Sequence, residues 1–167
     1  TAPYGFRGFL GMRNFTLETE EGELLSWANS IWTNIDTQTG LPARLTDEDV
    51  KGYVLDEKLD MDYAPRKIAL PEKMEKKEPF SIQKHHLDTH HHVNNCQYIR
   101  MAADYLPEDF AIWQMRAEYK KQALLGDIFY PSVKQEKGRV TVALSCENGE
   151  PYAVVEFMAA GEGKESR

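Results

Sequence analysis

All five histidines of this 167-residue chain lie between His85 and His92, in the run HHLDTHHHVNN. Histidine is the side chain whose ordinary pKa lies nearest neutrality, so it is a common proton carrier and a common metal ligand. Asp88 stands among the imidazoles, and Asn94 and Asn95 follow them. An imidazole or carboxylate in this setting can activate water. A helix starting just afterwards would add unpaired N–H groups and a partial positive charge. A carbonyl oxygen placed there is stabilised as an oxyanion during acyl transfer. In an extended segment Asp88, His90 and His92, spaced i, i+2 and i+4, turn toward one cleft. Three His and one Asp are also sufficient in kind for zinc, but catalytic zinc sites usually draw ligands from separated elements. The expectation is therefore a reaction without metal or cofactor. His85 and His86 are neighbours on an expected strand and point to opposite faces, so neither is expected to be catalytic. His91 is expected to face solvent or pack locally.

The elements around this run read as strand, loop and helix. PFSIQKHHL reads as a strand, DTHH as a loop and HVNNCQYIRMAADYLP as a helix, with Val93, Met101, Ala102 and Tyr105 near helical spacing and Pro107 just past the end. Asn94 and Asn95 are expected to cap it. Cys96 reads as a small apolar filler, and Trp27, Trp32 and Trp113 read as core or interface residues. FAIWQMRAEYKKQALL alternates early, and DIFYPSVKQEK and RVTVALSCE read as strands joined at Lys137-Gly138. A strand, one long helix and a run of strands suit an α+β fold, an antiparallel sheet wrapped on a helix. Two hairpins repeat one design. RNFTLET turns at EEGE into LLSWANSIWTNID, and VTVALSCE turns at Asn148-Gly149 into PYAVVEFM. Gly22-Glu23 and Gly149-Glu150 are offset by 127 residues (22 to 149), which suggests an internal duplication. Between them, Thr46 to Glu78 holds a short helical stretch near DEDVKGYVL and then a Pro- and Lys/Glu-rich linker.

Composition narrows the function. The net charge of −7 argues against a broad nucleic-acid surface. No apolar run approaches the ~18 residues of a membrane span, and no signal-peptide pattern is present. Two cysteines without motif spacing fit a reducing, cytoplasmic compartment. Between Phe110 and Ser145, Arg116, Lys120, Lys121, Lys134, Lys137 and Arg139 outnumber the acids by three. Such a run can guide an acidic partner, but a solvated sheet face is the favoured reading. The chain starts at Thr1, and TAPYGFRGFLGMRNF reads as the middle of a longer unit, so a missing N-terminal part is expected.

The run Asp88-Thr89-His90-His91-His92-Val93-Asn94-Asn95-Cys96-Gln97-Tyr98 closely resembles a motif of the acyl-acyl-carrier-protein (acyl-ACP) thioesterases, which are built from two hotdog domains. The resemblance covers nearly the whole chain. Thr1-Ala2-Pro3, a strand bearing Arg13, and Ser30 to Trp32 with Asp36 resemble the second half of a first hotdog. Residues from about 79 onward, including Glu118 to Asp127 (EYKKQALLGD), resemble a complete second one. It implies a partial hotdog over 1–45, a linker over 46–78, a catalytic hotdog over 79–161 and a tail over 162–167. It further implies hydrolysis of fatty acyl-ACP to free fatty acid, with the acyl chain in a tunnel between helix and sheet. The partner would be acyl carrier protein, with neither nucleic acid nor membrane involved.

In the motif's frame the Asp and His fall on Asp88 and His92, and the motif's Asn is His90 here. An amide and a neutral imidazole can each donate and accept one hydrogen bond. The family's later Glu-Cys pair corresponds to Gln122 and Ala123. Ala123 excludes a thiol nucleophile, and Gln122 cannot be a general base, though it can orient water or the carbonyl. The implied reaction is direct attack by water, activated by His92 or Asp88. Backbone N–H groups near Val93, Asn94 and Asn95 would hold the oxyanion, and His90 and Gln122 would hold the water or carbonyl. A truncated first hotdog would leave an open sheet edge, so dimerisation, as a homodimer, or aggregation is expected. The competing readings are a hotdog acyl-CoA thioesterase and a non-catalytic acyl-binding hotdog module.

Overall fold

The computed structural model describes residues 1–161, so the expected tail at 162–167 lies outside the described residues. The chain divides into two compact units, Thr1–Pro65 and Arg66 onward. No helix among the described residues is long and apolar enough to cross a membrane.

The second unit carries the histidines. Its strands are β4 (Glu75–Lys76), β5 (Phe80–Ser81), β6 (Ile112–Tyr119), β7 (Ile128–Glu136), β8 (Arg139–Ser145) and β9 (Pro151–Ala159), all antiparallel to their neighbours. The sheet order is β4-β7-β8-β9-β6, with β5 also on β7. Helix α2 (Asn95–Ala103) lies on one face. Asn94 starts it, its side chain accepting the Cys96 N–H at 2.9 Å. Tyr98, Met101 and Ala102 form the buried stripe, and Pro107 lies beyond the end. The stripe packs on Phe129, Val142, Leu144, Val155 and Phe157, all fully or nearly fully buried. Each such side chain is worth about 1.5–3 kcal/mol of burial. This is the α+β hotdog expected from the sequence, a sheet wrapped on one helix.

The opposite face of this sheet is covered too. Ile68 is buried against Ala143 and Val154, and its N–H donates to Glu118 Oε2 at 3.0 Å. The 46–78 stretch thus holds more structure than its Pro and Lys/Glu content suggests. It includes α1 (Asp47–Val50), capped at Thr46 with a reciprocal bond from Asp49, as well as Ile68 and β4.

Two guanidiniums converge on one buried carboxylate. Arg116 Nη1 lies 3.0 Å from Glu156 Oε1, and Arg139 Nε lies 3.7 Å from Oε2. Lys120 Nζ reaches Glu118 Oε1 at 3.3 Å, and Lys121 Nζ sits 5.1 Å from the Tyr152 ring centre. Much of the basic stretch between Phe110 and Ser145 is thus spent within its own unit, in keeping with a sheet face rather than a patch that guides a partner. Glu156→Ala would remove the carboxylate that both guanidiniums contact, at a site where Arg139 is half exposed. A loss of about 2–3 kcal/mol is expected, short of the ~3–5 kcal/mol of a wholly buried pair. A urea midpoint that does not move would rule out a structural role for this network.

The first unit is an antiparallel sheet of β1 (Ala2–Arg7), β2 (Leu10–Glu18) and β3 (Leu24–Thr33). The sequence reading missed β1. Its short run APYGFR lacks alternation and breaks register between Pro3 and Gly5. Buried Asn14 ties residues 59–63 over one face: its Oδ1 accepts the Leu59 N–H at 3.2 Å and the Tyr63 hydroxyl at 2.9 Å.

The 127-residue offset is structural as well. Leu17 pairs with Ser26 as Leu144 pairs with Ala153, and each hairpin shifts register at the next residue. Thr19 N–H reaches Glu23 O as Cys146 N–H reaches Glu150 O, both at 2.9 Å. Gly22 and Gly149 take φ of +86° and +87°, conformations that other residues rarely adopt. Identical pairing, bulge and turn in both hairpins support the duplication. Of the core and interface readings for the tryptophans only the second is left: Trp27, Trp32 and Trp113 are 48%, 58% and 47% exposed, so none is a core residue.

Candidate active site

The histidine run forms a tight turn held from inside by Asp88. Leu87 bridges Val93, the Asp88 N–H donates to His92 O at 2.8 Å, and the His91 N–H donates to Asp88 O at 3.1 Å. His91 closes the turn at φ +62°, a left-handed conformation costly for a residue with a Cβ. The carboxylate offsets that cost. Asp88 Oδ1 accepts the N–H of His90 at 2.8 Å and of His92 at 3.3 Å. Burial pushes the Asp88 carboxyl up, but the N–H groups and then the charges of the His90 and His92 imidazoles outweigh it and hold it below the usual carboxylate range. Asp88 is therefore a fixed anion between two imidazoles and a weak proton acceptor. His92 is half-buried, and His90 is exposed.

Residues 120–127 run beside this turn. The Val93 N–H donates to Ala123 O at 2.9 Å, and His92 bridges Leu124. Ala123 is fully buried, and its neighbour Gln122 is exposed on the same segment.

Helix α2 starts later than expected, at Asn95, and this changes the oxyanion donors. The Val93 N–H is taken by Ala123 O and the Asn94 N–H by His86 O at 2.9 Å. Both hold the loop and are not available to a substrate. The Asn95 N–H, first in the helix, has no such acceptor among the described residues. Tyr119 anchors this turn by donating its hydroxyl to Asn95 O at 3.2 Å. Burial first, then the neighbouring Cys96 and Tyr98, push the Tyr119 hydroxyl up to about 12, so it remains a donor.

A turn built on a carboxylate, an imidazole at a helix entrance and a sheet wrapped on that helix are now in view. Residues 69–156, which contain all of it, match the family model described as the acyl-ACP thioesterase C-terminal domain. The chain belongs to the acyl-ACP thioesterase family.

Solved structures agree on the fold. An acyl-ACP thioesterase from Bacteroides thetaiotaomicron is 18% identical with a TM-score of 0.82 over 95% of this chain and 66% of its own. A 12:0-ACP thioesterase from Umbellularia californica is 17% identical, with a TM-score of 0.75 over 95% of this chain and 65% of its own. A putative oleoyl thioesterase from Lactobacillus plantarum is 19% identical, with a TM-score of 0.70 over 94% and 65%. This chain therefore spans slightly under two thirds of the length of these structures. No curated protein matches it.

Within this thioesterase-family chain, Asp88, His90, His92 and Asn95 gather at one helix entrance, with Gln122 on the segment paired to it. Among the described residues no three His, Cys, Asp or Glu side chains converge as a metal-ligand set. His85 and His86 are not on opposite strand faces. They sit in a 3₁₀ turn (Lys84–His86) with ring centres 4.0 Å apart. His86 Nδ1 accepts the Gln83 N–H at 2.9 Å. Burial, then its neighbour His85, lower the His86 pKa. The strand expected through His86 ends at Ser81 because the chain must turn to bring His86 O under the Asn94 N–H. Cys96 is exposed in the first helical turn rather than filling a gap. Sequence reasoning gave no part to Asp127, although Gly126-Asp127 after an apolar pair was a turn signal.

Proposed function

We propose that this protein hydrolyses the thioester of fatty acyl-ACP, releasing a free fatty acid. What carries the reading is the Asp88 carboxylate fixing His92 at the entrance of α2, inside the segment that the acyl-ACP thioesterase family model covers. His92 removes a proton from water as the water oxygen attacks the thioester carbonyl carbon. The carbonyl oxygen gains the negative charge and lies at the Asn95 N–H. When the tetrahedral intermediate collapses, the C–S bond breaks and the proton held by His92 passes to the departing sulfur. The products are a fatty acid and the carrier's free thiol. Asp88 keeps its charge throughout and holds the backbone of His90 and His92. His90 and Gln122 orient the water or carbonyl, tasks for which an imidazole and an amide suffice. The cofactor-free mechanism is part of this proposal, as are the partial hotdog over 1–45 and a homodimer in solution.

The test compares acyl-ACP with acyl-CoA over several chain lengths. Turnover is expected on acyl-ACP, with the higher kcat/KM there. Preference for acyl-CoA would overturn the carrier assignment. Binding of acyl-ACP without turnover would overturn the enzyme reading in favour of an acyl-binding module.

A further inference from the structure

We propose that Tyr98 and Asp127 are positioning residues that latch the Lys120–Asp127 segment to the catalytic turn and so set Gln122 against His92. The inference rests on the hydrolase reading of that site. The segment between β6 and β7 is fixed at several atoms. Tyr98, nearly fully buried on α2, accepts the Ala123 N–H on its hydroxyl oxygen at 2.9 Å. The next residue's N–H, that of Leu124, donates to Asp127 Oδ2 at 2.9 Å. Tyr152 on β9 lies near the same carboxylate: burial first, then the Asp127 charge, raise the Tyr152 pKa to about 12. Asp127 O in turn accepts the Ile82 N–H at 2.8 Å.

These contacts sit immediately behind the two that face the site, the Val93 N–H on Ala123 O and the His92–Leu124 bridge. Ala123 thus gives its carbonyl to the catalytic turn and its N–H to Tyr98. Any slack in one is felt by the other. Neither Tyr98 nor Asp127 is required to touch the substrate. Both act through the backbone N–H groups of the two residues that follow Gln122.

The test uses three variants beside the wild type. Tyr98→Phe keeps the ring packing on Phe129 and leaves the Ala123 N–H without its acceptor. Asp127→Ala removes the carboxylate, and Asp127→Asn keeps an acceptor for the Leu124 N–H. Tyr98→Phe and Asp127→Ala are expected to lower kcat on acyl-ACP about 10-fold or more with KM within about two-fold, since each leaves a backbone N–H of the segment without its acceptor. Asp127→Asn is expected to recover most of kcat. Amide hydrogen exchange at Val93, Ala123 and Leu124 should rise about 10-fold in the two disabling variants, with Val142 and Val155 unchanged. Unaltered kcat, a KM effect alone, or exchange rising equally throughout the core would overturn the latch. If the wild type itself turns over no thioester, the hydrolase reading fails. The exchange pattern then judges the latch by itself, local opening supporting it and none overturning it.

Discussion

His92→Ala is expected to lower kcat on acyl-ACP by ~10²–10⁴-fold, the range lost with a general base. The imidazole is half-buried at the entrance of α2, its backbone held by Asp88 on one side and Leu124 on the other. It makes no core contact comparable to those of Tyr98 or Phe129, so folding should survive. The control is His91→Ala. His91 is exposed and contributes the left-handed residue of the turn rather than a group at the helix entrance. Its loss should leave kcat near wild type, whereas His91→Gly should stabilise the turn by relieving φ +62°. If His92→Ala retains wild-type turnover while His90→Ala does not, the base is His90 and the roles exchange. Should both variants stay fully active, the cluster is not the catalytic centre.

Asp88→Ala is expected to be nearly as damaging, by about 10²-fold in kcat, for a different reason. It removes the acceptor of two N–H groups, and the turn that places His92 relaxes. A shift of about 1 Å in a catalytic group is enough for a loss of that order. Asp88→Asn keeps one acceptor oxygen and should lose less. The same substitution has a pH signature. The carboxyl is lowered in the folded protein, first against the opposing effect of burial, by the His90 and His92 N–H groups and the two imidazole charges. A lowered folded pKa means stability that is fully present above the ordinary carboxylate range of about 3.9 and is lost as pH falls through the folded value. Wild type and Asp88→Asn should therefore differ in denaturant midpoint at neutral pH and converge in acid. A gap that stays constant or widens in acid would show that Asp88 is not stabilised as an anion.

How much of this site was legible follows from which interactions are local. The Asp88 turn is local: acceptor and donors lie within four residues, so the run D-T-H-H-H displays its own fold. The Asn94 cap is local as well, two residues from its donor. The paired hairpins were readable because a glycine at positive φ must appear where each strand reverses. The Val93–Ala123, Asn94–His86 and Ala123–Tyr98 bonds were not readable. Val93 and Ala123 are thirty residues apart, and nothing in either neighbourhood names the other.

Those distant bonds changed the chemistry. From sequence, Val93, Asn94 and Asn95 were equivalent oxyanion donors. Backbone N–H groups must find acceptors when a segment is packed, and the packing spends the first two. Exposure was misjudged for the same reason. Cys96 is apolar by type, yet the fold leaves it at the surface.

By itself the sequence determined the chemical inventory, which is an acid between imidazoles ahead of a capped helix, and an α+β alternation of one helix with antiparallel strands. Those follow from residue type, spacing and short-range hydrogen bonds. Only the tertiary structure decided which of those groups remain available. It committed Asp88 to backbone donors, left the Asn95 N–H without a backbone acceptor among the described residues, and paired the segment that carries Gln122 with the His92 turn. The physical reason is that hydrogen-bond satisfaction is a property of the packed whole. A donor's partner is chosen by what folding brings within about 3 Å, not by its neighbours along the chain.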